Sequence, residues 1–125
     1  MLNIVEFLVE PMSASERVIL GVEGLSFVRE DGRNSLFRWK DVAGAFFYRL
    51  AIEEGKVRTF VTFNLHDGRY WEVLDDMEGF EEFVSRLANY LSLSHPDWQT
   101  ALQEATDDDP PVTIYGKPAG PDYET

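Results

Sequence analysis

The sequence has no cysteine among its 125 residues. Disulfide bridges, thiolate metal centres and cysteine nucleophiles are therefore excluded, and a chain without thiols is compatible with the cytosol. Long apolar runs are missing too. The apolar N-terminus lacks a basic start and is interrupted by Glu6 and Glu10, and no run approaches the roughly 20 residues that a membrane-spanning helix needs. We therefore expect a cytoplasmic protein without a membrane anchor.

Basic residues are scarce. The chain has 11 Lys and Arg against 23 Asp and Glu, which gives a net charge of −12, and residues 95–125 hold 1 basic and 7 acidic side chains. Such a charge repels phosphate backbones and anionic lipids. The charge therefore predicts a basic protein partner, and neither nucleic acid, membrane nor phosphoinositide.

The length fits one domain with its own hydrophobic core. Aromatic residues make up 14% of the chain, which favours a β-rich core because such side chains suit pleated, half-buried surfaces. Segments of alternating apolar residues are separated by Glu-Gly and Asp-Gly turn signals. Short turns between them predict an antiparallel meander. The predicted strands cover residues 17–22, 25–30, 36–39, 44–52, 57–65 and 70–74.

The segment 2–9 stays ambiguous between two structures. Ile4 and Leu8 can share a helix face, whereas Val5, Phe7 and Val9 alternate as in a strand.

Two helices are predicted after the strands. A helix over 77–93 has an apolar stripe that should pack on the sheet, and Asp75 with Glu78 resembles a capping box. A shorter helix over 95–105 is capped by Ser94. The stripe of the first helix consists of Phe80, Phe83, Val84, Leu87 and Leu91.

The composition changes after Thr106. Four prolines, two glycines and an acid run follow, so we predict one domain over 1–106 and an extended or disordered acidic tail over 107–125. Val112, Ile114 and Tyr115 are the tail residues that can still dock against a sheet edge.

Residues 17–93 resemble bacterial PH-like domains. The resemblance rests on the segments Val22-Glu23-Gly24-Leu25-Ser26-Phe27 and Phe37-Arg38-Trp39-Lys40-Asp41-Val42, and on the amphipathic helix from Met77 to Leu93. It implies an α+β fold, with a partly open antiparallel barrel of about seven strands capped by the C-terminal helix. Lipid-binding members of the wider fold gather Lys and Arg between their first two strands. The corresponding Glu23-Gly24 is acidic, which argues against phosphoinositide binding.

One candidate partner-binding patch emerges from the two longest strands. Both faces of these strands carry large apolar residues, and the core takes one face. Phe47 and Phe60, flanked by Arg49 and Arg58, would then form an exposed patch of interface type. The alternative is that the second helix or the N-terminal segment covers it.

No catalytic, cofactor or metal site is predicted. His66-Asp67 and His95-Pro96-Asp97 lack converging ligands, Asp107-Asp108-Asp109 lacks the spacing of a calcium loop, and no nucleophile elbow or phosphate loop occurs. We therefore expect a non-enzymatic module that binds a protein, with self-association as a further option. The alternative is an acidic inhibitor of the immunity-protein kind that neutralises a basic toxin or nuclease, and an enzyme ranks last.

Overall fold

The computed structural model describes residues 16–53 and 55–116, so the ambiguous segment 2–9 lies outside the described residues. Seven strands and two α-helices form within these ranges. The strands are β1 (Glu16–Leu20), β2 (Gly24–Arg29), β3 (Asn34–Arg38), β4 (Val42–Glu53), β5 (Lys56–Leu65), β6 (Tyr70–Leu74) and β7 (Val112–Gly116); the helices are α1 (Phe80–Arg86) and α2 (Trp98–Glu104), with 3-10 turns at Trp39–Asp41 and Leu87–Asn89.

The described strands form two antiparallel sheets. The first has the order β1-β2-β3 and the second the order β6-β5-β4-β7. The predicted α+β class and the six predicted strands are confirmed. The single meander is wrong between β3 and β4, because these strands belong to different sheets, and the sheets do not close into a barrel within the described residues.

The core lies between the two sheets and the helices. In the second sheet, Phe47 pairs with Val61 and Phe63 with Trp71, and we call the side that carries these residues the core face. Aromatic rings join the two sheets, since Phe37 of β3 lies 5.1 Å from Phe63 between ring centroids. The helices and the segment between them cover this core with buried side chains at Phe83, Leu87, Leu91, Trp98 and Leu102.

Helix α1 is shorter than the predicted 77–93, and its start differs. Gly79, with φ of 91°, occupies the N-cap position without a side-chain cap, so the capping box predicted for Asp75 and Glu78 is wrong. The backbone of Glu78 instead exchanges hydrogen bonds with β1, where it accepts from Val18 N and donates to Glu16 O. This pairing ties the start of the helix to the edge of the first sheet.

The cap predicted for α2 is wrong as well. Asp97 holds its N-cap position, and Ser94 N donates to Ile114 O at 2.8 Å. Ser94 therefore joins the helical region to β7.

The chain after Thr106 returns to the core, so the disordered tail predicted for 107–125 is wrong for residues 112–116. Strand β7 pairs antiparallel with the first half of β4. A shift of register between Ala45 and Phe46 accommodates Ile114, which is fully buried. The edge docking of Val112, Ile114 and Tyr115 is thus confirmed, and the domain extends past the predicted boundary at 106.

Gly24 occupies a position that a larger residue cannot fill. A Cβ atom there would lie 1.9 Å from the carbonyl oxygen of Phe37 on the neighbouring strand. We expect Gly24→Ala to lower the free energy of unfolding by about 3 kcal/mol, because β2 and β3 must separate to relieve the clash. Urea unfolding checks this, with Gly21→Ala as control, since its Cβ would meet Gly24 O at an ordinary 3.4 Å. Equal unfolding midpoints for the two variants would contradict the close strand contact.

Candidate interaction surface

The predicted patch of Phe47, Arg49, Arg58 and Phe60 does not exist as one surface. Phe47 is fully buried and packs against Trp98 of α2, with ring centroids 6.2 Å apart. The alternative that the second helix covers this position is therefore confirmed. Phe60 pairs across the strands with Tyr48, next to the pair of Phe47 and Val61. Because neighbouring pairs point to opposite sides of a sheet, Phe60 lies on the outer face.

Phe60 belongs to an aromatic row on this outer face. Its ring stacks on Tyr48 at 5.1 Å with an interplanar angle of 7°, and Tyr48 stacks on Phe46 at 5.9 Å. The Tyr48 hydroxyl donates to Glu72 Oε2 at 2.7 Å, and Thr62 Oγ1 donates to the same oxygen at 3.2 Å. The carboxylate of Glu72 thus holds the row in place, and the ring of Phe60 packs against a neighbouring side chain of its own sheet.

Arg58 anchors the chain after β6. Its Nη1 atom lies 2.6 Å from Asp76 Oδ2 and 3.5 Å from Asp75 Oδ1, and Asp75 also accepts a hydrogen bond from Thr59 N. The hydrogen bond to Asp76, together with the attraction of the two carboxylates, raises the pKa of Arg58 above its usual value. The guanidinium group of Arg58 is therefore already paired with carboxylates of its own chain.

Arg49 lies on the core face, opposite Thr59, and thus on the other side of the sheet from Arg58. Its Nη1 atom donates to the carbonyl oxygen of Ala105 at 3.0 Å, at the C-terminal end of α2. Cationic donors suit this end of a helix because its last carbonyls lack partners. The Nε atom of Arg49 is buried and has no hydrogen-bond partner.

Three exposed apolar side chains of the second sheet lie close together in the chain, where β4 and β5 connect. Among the described strands, β7 reaches β4 only as far as Phe47, and β6 reaches β5 only from Phe60 onward. Residues 50–53 and 55–58 therefore extend as a two-stranded projection, which we call the hairpin tip. Its apolar side chains are 46% exposed at Leu50, 52% at Ile52 and 45% at Val57.

Two carboxylates, those of Asp75 and Asp76, contact the hairpin tip through Arg58, and three more follow them in the chain. We call the residues Asp75, Asp76, Glu78, Glu81 and Glu82 the acidic flank. Arg58 connects tip and flank, because it pairs across the strands with Leu50 and binds two of these carboxylates. A groove of about 370 Å³ is lined by three of these acids, Asp75, Glu81 and Glu82, together with Met77, Gly79 and Phe80. Glu81 has no ion pair among the described residues, whereas Glu78 binds Arg17 and Glu82 binds Arg86.

The sequence contained a usable signal for this surface. Strands predicted over 44–52 and 57–65 are nine residues long, whereas the strands beside them are shorter. Since only the paired part of a long hairpin is covered by its neighbours, the apolar residues next to Glu54-Gly55 are the ones expected to project.

The histidines are separate from the hairpin tip and the acidic flank. His66 is exposed in the turn before β6, where its neighbour Asp67 accepts hydrogen bonds from Arg69 N and Nε. His95 precedes α2, and its Nδ1 atom is buried without a partner. Within residues 16–53 and 55–116, no three His, Asp or Glu side chains converge as a metal site requires.

Comparisons with protein-family models, with curated proteins and with solved structures find no match for this chain. The helices in the described part of the chain are all too short or too polar to cross a membrane.

Proposed function

We propose that this protein is a non-enzymatic module that binds a basic protein partner through the hairpin tip and the acidic flank. The observation that carries the proposal is the exposure of Leu50, Ile52 and Val57 on a projection that the neighbouring strands do not support. A two-stranded hairpin is marginal on its own in water. A partner that buries the apolar side chains of the hairpin tip would stabilise it.

Leu50 and Val57 belong to neighbouring cross-strand pairs, so their side chains point to opposite sides of the projection. A partner that encloses the hairpin tip therefore meets apolar side chains on both sides, with charged groups at the rim as in other protein interfaces. Each of the three side chains keeps about half of its surface exposed, so contact with a partner removes further apolar area from water. The acidic flank supplies the rim, and its charge selects and steers a partner with Lys and Arg opposite Glu81. The net charge of −12 also attracts a basic partner, at longer range than the acidic flank does.

We further propose that the scaffold is PH-like. Two antiparallel sheets, followed directly by a helix that packs on the core, support this assignment. Helix α2 and strand β7 are additions to that pattern. The scaffold alone carries no function, since one fold can serve different ligands.

The test compares Ile52→Glu with Val22→Glu. Both substitutions add one negative charge at an exposed apolar residue, but Val22 lies in the turn before β2, where it is 88% exposed. Each full-length variant is immobilised, exposed to lysate of the native cell, and washed at low and at high salt. We expect Val22→Glu to retain the same protein as the wild type, and Ile52→Glu to lose it.

A charge variant then tests the rim. Glu81→Gln should weaken binding of the purified partner and flatten its salt dependence, because exposed charge pairs are screened by salt. Glu104→Gln on α2 removes the same charge elsewhere and serves as control. Equal retention by Ile52→Glu and Val22→Glu, or retention of nothing beyond a second copy of the chain, would overturn the proposal.

The inhibitor of a basic toxin or nuclease is the second candidate. It is favoured by the acidic flank, where five carboxylates fall within residues 75–82. These carboxylates can occupy the surface of a nuclease that otherwise binds the phosphates of its substrate. The identity of the retained protein separates the two candidates, since a nuclease whose activity falls on binding supports the inhibitor.

A further inference from the structure

A second site lies on the opposite side of the sheet from Arg58, between the two helices. A cleft of about 410 Å³ opens there between α1, α2 and the core face of β4 and β5. This volume is within the range of roughly 300–1,000 Å³ that is usual for small-molecule sites. Its apolar lining comes from Phe80, Val84 and Leu102, and Arg49 is the cation that lines it.

Arg49 has more donors than its own chain satisfies. An arginine carries five N–H groups, and one of them bonds to Ala105 O. The Nε–H is buried without a partner, and Arg49 forms no ion pair with any described residue. A buried donor without a partner is unfavourable. A ligand with an acceptor group that enters the cleft can provide the hydrogen bond that the Nε–H group of Arg49 lacks.

The chemistry of the cleft selects a particular acceptor. A planar guanidinium matches a carboxylate, which accepts two parallel hydrogen bonds. Two acidic residues, Asp75 and Glu81, also line the cleft. Asp75 is already bound to Arg58 and Thr59 N, but both negative charges disfavour a doubly charged group such as phosphate.

We propose that this cleft binds a singly charged carboxylate on an apolar body, with Arg49 holding the carboxylate and Phe80 and Leu102 contacting the body. Two sources supply this chemistry, a free aliphatic or aromatic acid and the C-terminal carboxylate of a polypeptide that ends in an apolar residue. No residue of the hairpin tip lines this cleft, so Ile52→Glu should leave binding of a ligand here unchanged. Glu81 is shared, since it lines the cleft and belongs to the acidic flank.

The experiment follows the Nε–H signal of Arg49 by nitrogen-15 NMR of the full chain. The probes are 3-phenylpropionate and a short acetylated peptide ending in Leu-Phe with a free carboxylate. Their controls are 3-phenylpropanol and the same peptide with an amidated end. We expect the carboxylate probes to shift the Arg49 signal in a saturable manner, and the uncharged controls and inorganic phosphate to leave it in place.

Variants separate binding from folding. In the variants, binding is followed through the side-chain amide signals of Gln99 and Gln103, which also line the cleft. Arg49→Gln should weaken binding of the carboxylate probes at least tenfold. Arg38→Gln is the matched control, since Arg38 is exposed on β3 and likewise has no ion pair among the described residues. If Arg49→Gln does not fold, Arg49→Lys keeps the charge but loses the Nε–H and the fork, and several-fold weaker binding is expected.

The outcomes are distinct. Binding of 3-phenylpropionate alone identifies a free acid as the ligand class, and binding of the peptide alone identifies a polypeptide end. Absence of any saturable shift at about 10 mM of either probe, where even millimolar binding would show, overturns the proposal. Equal affinity of acid and alcohol, or unchanged affinity in the folded Arg49 variants, overturns it as well.

Discussion

A chain that ends at Thr106 is expected to lose most of its stability. The truncation removes β7, and with it the fully buried Ile114 and the strand that pairs with Ala45 and Phe47. Loss of one fully buried Ile side chain costs about 2–5 kcal/mol, and β4 loses its hydrogen-bonded neighbour in addition. Since domains are stable by only about 5–15 kcal/mol, thermal unfolding followed by circular dichroism should show a melting temperature at least about 10 °C lower.

Two controls locate the effect in β7. A chain that ends at Gly116 keeps the strand and should melt well above the chain that ends at Thr106, and Ile114→Ala should lose about 2–5 kcal/mol in the full chain. A chain ending at Thr106 that melts within a few degrees of the full protein would show that β7 does not belong to the cooperative fold.

Replacing Phe83 by alanine should have a comparable effect. Phe83 is 1% exposed in the centre of α1, and its ring lies 6.0 Å from Phe63 of the second sheet and 5.9 Å from Phe80. Removal of the ring leaves a cavity between helix and sheet, which costs about 3–5 kcal/mol. Denaturant unfolding measures this loss of unfolding free energy from the shift in midpoint, provided that the two proteins unfold with the same slope.

The control for Phe83→Ala is Ser85→Ala, an exposed position in the same helix. It should change the free energy of unfolding by less than about 0.5 kcal/mol, as surface substitutions usually do. A loss below about 1 kcal/mol for Phe83→Ala would mean that α1 does not seal the core, and the contact between α1 and the second sheet would have to be abandoned.

The sequence predicts the strands and the hairpins between them well because these signals are local, but it does not predict the break between β3 and β4 that divides the strands into two sheets. Alternation of apolar residues sets each strand, and the Asp-Gly turns set the connections between them. In the structure, Asp31 and Asp67 each accept a hydrogen bond from the backbone N–H two residues further on, which lowers the pKa of both carboxyls. Everything that decides these hairpins lies within a few residues of the turn.

The sequence does not predict β7, because its partner is far away along the chain. Residues 112–116 are flanked by Pro110, Pro111 and an acid run, which are local signals against a strand. The pairing with β4 bridges more than 60 residues, and only tertiary packing around Ile114 makes it favourable. Such pairing overrides the local preference.

The predicted patch is wrong for two reasons: helix α2 covers Phe47, and a bulge places Phe60 on the other face. Glu53 pairs with Lys56, but the register shifts between Ala51 and Glu53. Had the pairing of Glu53 and Lys56 continued unshifted, Phe60 would have paired with Arg49 and shared a face with Phe47. A slip of one residue moves a strand's side chains to the opposite face, and the bulge thereby places Phe60 on the outer face.

The most direct test of the proposed partner-binding surface is hydrogen exchange of the full chain, alone and with the protein retained in the binding experiment. We expect the partner to slow exchange in residues 50–53 and 55–58, the two-stranded projection that lacks further strand neighbours among the described residues, and in the adjoining residues 75–82. Exchange in β2 and β3 should stay unchanged. Slower exchange confined to β1, β2 and β3, with none at the hairpin tip, would contradict the account.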